Sequence, residues 1–289
     1  MTLDIDPCGC GDRYLFHYTS PAGLAGILHA GRFRFSSMDR LNDPRERKPF
    51  EFGLNEALIP TEDVPRAREM LGRTISEIFG TAKVACFTTE GTDGSPDGYF
   101  SRGWSRARAW AQYGMDHKGA CLVFDKERLT AAIKDACGPE MTCGPVAYED
   151  RQNLDWSDGP AHFDNLTDDE MRQHALELRN AHGDQLFFEK NTDWASEREY
   201  RFVTFAPDAF EVSIVDSLEG IILGEDYPPV EQAVLGERIR QADIKRIQIG
   251  EMIWMNGCPG TARVNADHLP GLEDDLDQGE PVPLRPVKS

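Results

Sequence analysis

The chain has 289 residues, 40% of them hydrophobic and 28% charged, enough to bury a core without disulfide staples. Its 31 Lys and Arg stand against 50 Asp and Glu, a net charge of −19 that repels phosphate backbones at long range and disfavours broad non-specific binding to nucleic acid or anionic membranes. No apolar run approaches the roughly 20 residues a bilayer crossing needs, and the acidic start Met1–Asp6 lacks the basic-then-apolar pattern of a secretory leader, so a cytoplasmic location without a membrane partner is expected.

The first element is a strand, Arg13 to Thr19, stopped by Ser20-Pro21, an N-cap followed by proline at the first helical position. The helix that follows carries Leu24, Ile27 and Leu28 on one side and ends at Gly31, after which Arg32–Ser36 reads as a strand closing in Ser37 and the turn Leu41-Asn42-Asp43-Pro44. Residues near 50–80 form a helical insertion with Leu71, Ile75, Ile78 and Phe79 on one stripe; Val84–Thr88 is a strand and Gly91–Gly98 a loop. A helix over Arg108–His117, a buried strand Ala120–Phe124, a helix Glu127–Ala136 and a strand Pro145–Tyr148 come next. Thr167-Asp168-Asp169-Glu170 is a capping box that opens a second helical insertion near 165–190. Strands Glu199–Phe205, Ile221–Leu223 and Ile244–Ile249 follow, the last two separated by a helix Val230–Gln241. Without an internal repeat or linker, this reads as an N-terminal segment 1–12, one α+β domain over 13–255 with a mixed, mainly antiparallel split sheet, and an acidic, proline-rich tail over 256–289. The seven cysteines are irregularly spaced, and Cys8-Gly9-Cys10 is too close for a zinc knuckle, so reduced cysteines and no metal are expected.

Three constellations carry chemistry. Alternation along the first strand projects His17 and Thr19 together beside a helix N-terminus, where an imidazole, a hydroxyl and a positive dipole suit an anion or a sugar; a core-rim histidine bonded to a carbonyl is the alternative. On the Arg108–His117 helix, Trp110 and Tyr113 share a face that His117 continues, an arrangement suited to stacking on a planar ring or to anchoring the helix. Arg102, Arg106 and Arg108, before and at its start, would supply charge for a pyrophosphate. If the later strand begins near Glu197, then Glu197, Glu199 and Arg201 align on one face while Tyr200 and Phe202 enter the core; an edge-strand ion-pair ladder is the competing account.

Taken in order, His17-Tyr18-Thr19, Leu41-Asn42-Asp43-Pro44, Ala85-Cys86-Phe87, Trp110 to Tyr113 through His117-Lys118-Gly119, Glu197 to Arg201 and Ile221-Ile222-Leu223-Gly224 resemble the bacterial "domain of unknown function 2971" family over roughly residues 14–250. The H-x-T on the first strand and the E-x-E on a later one also resemble the first and last motifs of ADP-ribosyltransferases, although no clear middle motif is present. That second resemblance implies an ADP-ribosyltransferase-like fold and NAD as a substrate, with no metal. His17, Tyr18 and Thr19 would bind the nicotinamide ribose, and Ser37 or Tyr113 would fill the middle role, with Trp110, His117 and Arg201 around the dinucleotide. Glu199 would stabilise the developing oxocarbenium ion from the deeper, drier position, and Glu197 would meet the acceptor. The strands of His17 and Glu199 are then expected to be neighbours, with both side chains on one face. The implied activity is transfer of ADP-ribose to an unidentified macromolecule, or NAD hydrolysis, in a toxin or phage-defence effector working with a partner protein of a defence or toxin–antitoxin system. Two rivals stand beside it: a non-catalytic sensor or partner-binding module, and a metal-dependent nuclease using Asp193, Glu197 and Glu199.

Overall fold

The computed structural model describes residues 13–47, 61–62, 64–91, 100–138, 141–150, 168–206, 208–244, 247–264 and 269. The segment 1–12 with Cys8 and Cys10, most of the loop after Gly91, Thr167 of the capping box and the tail from 270 lie outside these residues. In chain order the elements are β1 (Tyr14–Thr19), α1 (Pro21–Ala30), β2 (Arg32–Arg34), β3 (Ser36–Ser37), α2 (Pro44–Arg47), α3 (Val64–Thr81), β4 (Ala82–Thr88), α4 (Ala107–Gln112), β5 (Ala120–Asp125), α5 (Lys126–Cys137), β6 (Thr142–Pro145), β7 (Ala147–Tyr148), α6 (Asp168–Phe187), β8 (Glu189–Lys190), β9 (Glu199–Phe205), β10 (Glu211–Ser213), β11 (Leu218–Leu223), α7 (Pro229–Ala233), α8 (Leu235–Gln241), β12 (Gln248–Met255) and β13 (Cys258–Arg263). No helix among the described residues is long and apolar enough to cross a membrane.

Local chemistry sets the first turn as the sequence predicts. The Ser20 hydroxyl accepts the Gly23 N–H at 3.1 Å, Pro21 occupies the first helical position, and Gly31 closes α1 in a left-handed conformation with φ 59°. The chain then builds a mixed sheet in the order β13-β12-β11-β5-β1-β4-β9-β6, with β3 on the edge of β4; the one parallel pair on this path is β11 with β12. The α+β class with a mixed, mainly antiparallel sheet is therefore observed. The sheet runs past residue 255, because Asn256 and Gly257, both at positive φ, turn β12 back into β13.

One sheet face buries Leu15, Leu122, Phe124, Phe87, Phe202 and Ile221 beneath α1, α5 and α8. The other carries two smaller cores, Phe16, Tyr18 and Val123 against Trp104 and Trp110, and Val84 and Val203 against Ile78 of α3 and Phe187 of α6. These two cores lie on either side of the junction between β1 and β4, and that junction is thin. β1 pairs with β5 along its full length, from Tyr14↔Asp125 to Thr19↔Ala120, but meets β4 at the single pair Phe16↔Thr88. Farther along, the same edge of β4 is taken over by β3 through Ser36↔Val84 and Ser37↔Lys83. The sheet splits between these two attachments.

Candidate functional site

A cavity of about 370 Å³ occupies the split. Its apolar lining comes from Ile27, Phe33, Val84 and Phe87, its polar lining from His17, Asn42, Tyr113, Glu46, Lys190, Glu197 and Glu199, with Arg34 and Arg40 also contributing. Ligand sites of roughly 300–1,000 Å³ commonly show this mixture of apolar wall and convergent polar groups. α1 passes Thr19 closely at Gly23, where a Cβ would stand 2.1 Å from the Thr19 hydroxyl oxygen and would force that side chain to turn.

His17 does structural work in the split. Its Nδ1–H donates to the Cys86 carbonyl at 3.0 Å, serving the backbone oxygen of β4 that falls between the β1 and β3 attachments. A carbonyl only accepts, so Nδ1 carries the proton and Nε2 is left as an acceptor. The ring packs edge-on against Phe33 at 4.7 Å, and burial lowers its pKa, outweighing the Cys86 bond that raises it.

The inner end of the cavity is a cluster of five buried charges. Arg201, fully buried, clasps Glu199 with Nε at 2.6 Å and Nη2 at 3.0 Å, and its Nη1 donates to the Phe187 carbonyl at 2.7 Å. Lys190 stands 2.7 Å from Glu199 and 2.9 Å from Glu197. The Tyr113 hydroxyl donates to the other oxygen of Glu197 at 2.7 Å. Glu46, on α2, completes the group beside Arg201 and 3.8 Å from Lys190. Burial works against the Glu199 anion, but Arg201 and Lys190 overcome it and hold its pKa at about 2. Burial dominates at Glu46 and pushes it up to about 7 against the pull of the same two cations. Among the described residues no three His, Cys, Asp or Glu side chains form a group fit for a metal ion; between Glu197 and Glu199 the Lys190 ammonium already occupies the place of a cation.

These two glutamates predict opposite pH trends in separate windows. Glu199, depressed, adds stability above its unfolded value and loses it as pH falls from about 4.5 through about 2. Glu46, raised, adds stability at low pH and loses it as pH rises from about 4.5 through about 7. The melting temperature of the wild type is therefore expected to fall between pH 5 and pH 8 more steeply than that of Glu46→Gln. Parallel curves for the two proteins would refute the assignment.

Several sequence expectations need correction. The strands of His17 and Glu199 are not neighbours: β4 lies between them, paired Thr88↔Glu199 and Cys86↔Arg201 on the β9 side. The registers also put the two side chains on opposite faces, because Glu199 shares a face with Thr88 and Phe16, not with His17. They reach one cavity only because the sheet splits there. Glu197 is not on the strand; it ends a 3₁₀ turn, Thr192–Glu197, and Arg198 at φ 45° swings the chain into β9. Helix α4 ends at Gln112, and Met115, Asp116 and His117 are all left-handed, so His117 does not continue a helical face. Its ring turns back to stack on Trp110 at 5.9 Å, away from the cavity. Trp110 is itself fully buried, its indole N–H donating to the Trp104 carbonyl at 2.8 Å. Thr19, Ser37 and Arg201 do not line the cavity either: Thr19 packs on Gly23, Ser37 bonds Asp39, and Arg201 lies behind Glu199. Nor do the three arginines, since Arg102 pairs with Glu90, Arg106 with the Ser101 carbonyl and Arg108 with the Asp193 carbonyl. Of the predicted residues, His17, Tyr18, Tyr113, Glu197 and Glu199 do border it.

Glu46 and Lys190 belong to the site, and little in their local sequence signals either. Glu46 sits in Asp43-Pro44-Arg45-Glu46-Arg47, which reads as an exposed charged turn, and Lys190 follows Glu189 in a two-residue strand.

The fold and site thus define a mixed α+β protein with a charged cavity in a split sheet. Residues 109–202 match the model of a family described as "Protein of unknown function (DUF2971)". That stretch runs from α4 through β9 and carries Tyr113, Lys190, Glu197, Glu199 and Arg201. No curated protein and no solved structure matches the chain.

Proposed function

We propose that the cavity binds NAD as a substrate and that the protein cleaves the bond between nicotinamide and ribose, passing ADP-ribose to a macromolecular acceptor or to water, in an ADP-ribosyltransferase-like fold. The observation that carries this reading is the convergence of His17, Tyr113, Glu197 and Glu199 on one cavity from three separate parts of the chain. As the C1′–N bond breaks, nicotinamide leaves with the bonding electrons and the ribose gains oxocarbenium character. A fixed carboxylate in a dry site stabilises that charge, and the acceptor oxygen then adds at C1′ and gives up its proton. The free Nε2 of His17 accepts a ribose hydroxyl, Phe33 and Phe87 form an apolar wall for the ring, and Arg34 and Arg40 face the phosphates. The setting this implies is a cytoplasmic toxin or defence effector acting with a partner protein.

One observation favours a second reading, a non-catalytic sensor. Glu199 is already engaged by Arg201 and Lys190, as a structural ion pair would be. Incubation with NAD, followed by chromatography for free nicotinamide and by equilibrium dialysis for bound dinucleotide, separates the two. Nicotinamide release that survives EDTA is the expected result. Binding without release would establish the sensor, and neither binding nor release would end the NAD reading.

A further inference from the structure

The charges at the inner end of the cavity do not balance. Three carboxylates, Glu46, Glu197 and Glu199, face two cations, Lys190 and Arg201, and every one of the five is more than nine-tenths buried. The cations are shared unequally. Glu199 holds both, and Glu197 holds Lys190 and the Tyr113 hydroxyl. Glu46 is in ion-pair contact with Arg201 and within range of Lys190, but it shares both cations with Glu199, no other donor among the described residues reaches its buried oxygens, and its side chain lines the cavity. A buried carboxylate left in that state either takes up a proton or waits for a positive charge.

We propose that the inner end of the cavity, where these five charges meet, is built for one positively charged group of a ligand, and that entry of this group expels a proton from Glu46, while Arg34 and Arg40 elsewhere in the lining serve the ligand's anionic part. In the exchange, the Glu46 carboxylic acid and the free cation become a carboxylate–cation pair and the proton goes to solvent; no other bond changes. The inference rests on the NAD reading in one respect: the oxidised nicotinamide ring is a pyridinium cation, whereas the reduced ring is neutral. The other titratable groups around Glu46 do not compete for this role. Burial, with Glu199 adding to it, raises the Cys86 thiol, and burial with Glu197 raises the Tyr113 phenol, so both stay neutral, and burial lowers His17. Lys190 and Arg201 are both raised and stay charged, since their carboxylates outweigh burial; Glu199, lowered, also stays charged. Asp43, on the turn before α2, is buried as well, and Asp43→Asn serves as the control for it.

Isothermal titration calorimetry of the full chain, in buffers of differing ionisation enthalpy, tests this with four probes: NAD+, NADH, the 1-methylnicotinamide cation and neutral nicotinamide. With Glu46 pushed up to about 7, binding of the two pyridinium-bearing probes, NAD+ and 1-methylnicotinamide, should release about half a proton at pH 7 and weaken about tenfold from pH 8 to pH 6. NADH and nicotinamide should bind about tenfold more weakly than their charged counterparts at pH 8 and release no proton. Glu46→Gln should abolish the proton release, while Glu46→Asp, which keeps the charge, should retain it; thermal unfolding of both variants confirms that they are folded. Equal binding of NAD+ and NADH without proton release would overturn the proposal while leaving the NAD site intact. If neither dinucleotide binds, the NAD reading falls, and the 1-methylnicotinamide and nicotinamide pair judges the charge proposal alone. Loss of proton release in Asp43→Asn but not in Glu46→Gln would also overturn it.

Discussion

Glu199→Gln is expected to destabilise the protein by about 3–5 kcal/mol, because it leaves a buried arginine without its main counter-charge. Arg201 is fully buried and makes two of its hydrogen bonds to the Glu199 carboxylate. A glutamine cannot accept both, and its amide N–H groups would point at a cation. In thermal unfolding at neutral pH, this corresponds to a loss on the order of 10 °C. Replacing Glu199 and Arg201 together by leucine should recover a good part of the loss, since it removes the unpaired charge as well. A Glu199→Gln variant that melts with the wild type would show that the pair contributes little and that Glu199 is free for chemistry. The bidentate clasp of Arg201 argues against that outcome.

Glu197→Gln should have the reverse profile, a small change in melting temperature and a fall of about 10²–10³-fold in nicotinamide release. The reason lies in how the cations are divided. Arg201 and Lys190 together cancel most of the field of Glu199, whereas Glu197 meets a single cation, Lys190, and the neutral Tyr113 hydroxyl. Depth alone favours Glu199 as the stabiliser of a ribosyl cation, but net charge decides the field that a substrate meets, and that favours Glu197. Steady-state nicotinamide release at saturating NAD, measured beside thermal unfolding for both variants, checks the assignment. If Glu199→Gln is folded and inactive while Glu197→Gln turns over like the wild type, the roles revert to those the sequence implied.

Much of the fold was written in local chemistry. Ser20-Pro21 and Gly31 bracket α1, the apolar run Ala120–Phe124 becomes the fully buried β5, and Glu199–Phe205 becomes β9 at the bounds expected. Short-range signals of this kind are strong because capping and burial depend on neighbours in the chain. Asn256-Gly257, a hairpin turn by its residue types, is a signal of the same kind and carries the sheet eight residues beyond the expected domain end at 255. Left-handed backbone at Met115–His117 and at Arg198 is not legible, since Met and Arg do not favour a positive φ and the preference of Asp and His is too weak to place a turn; it moves His117 off the site and Glu197 off its strand.

By itself, then, the sequence determined the class of fold and five of the residues that line the cavity, because strand alternation and the types His, Tyr and Glu are local properties. Tertiary structure alone decided that the site exists at all. His17 and Glu199 face opposite sides of the sheet and are separated by β4; they share a cavity because β1 lets go of β4 after one pair of residues and β3 takes its place. Tertiary structure also decided the charge balance of the site, by burying Glu46, from a turn that reads as exposed, beside Lys190 and Arg201. Strand pairing and burial of distant charges are long-range events, and their energies depend on which groups meet rather than on which residues adjoin.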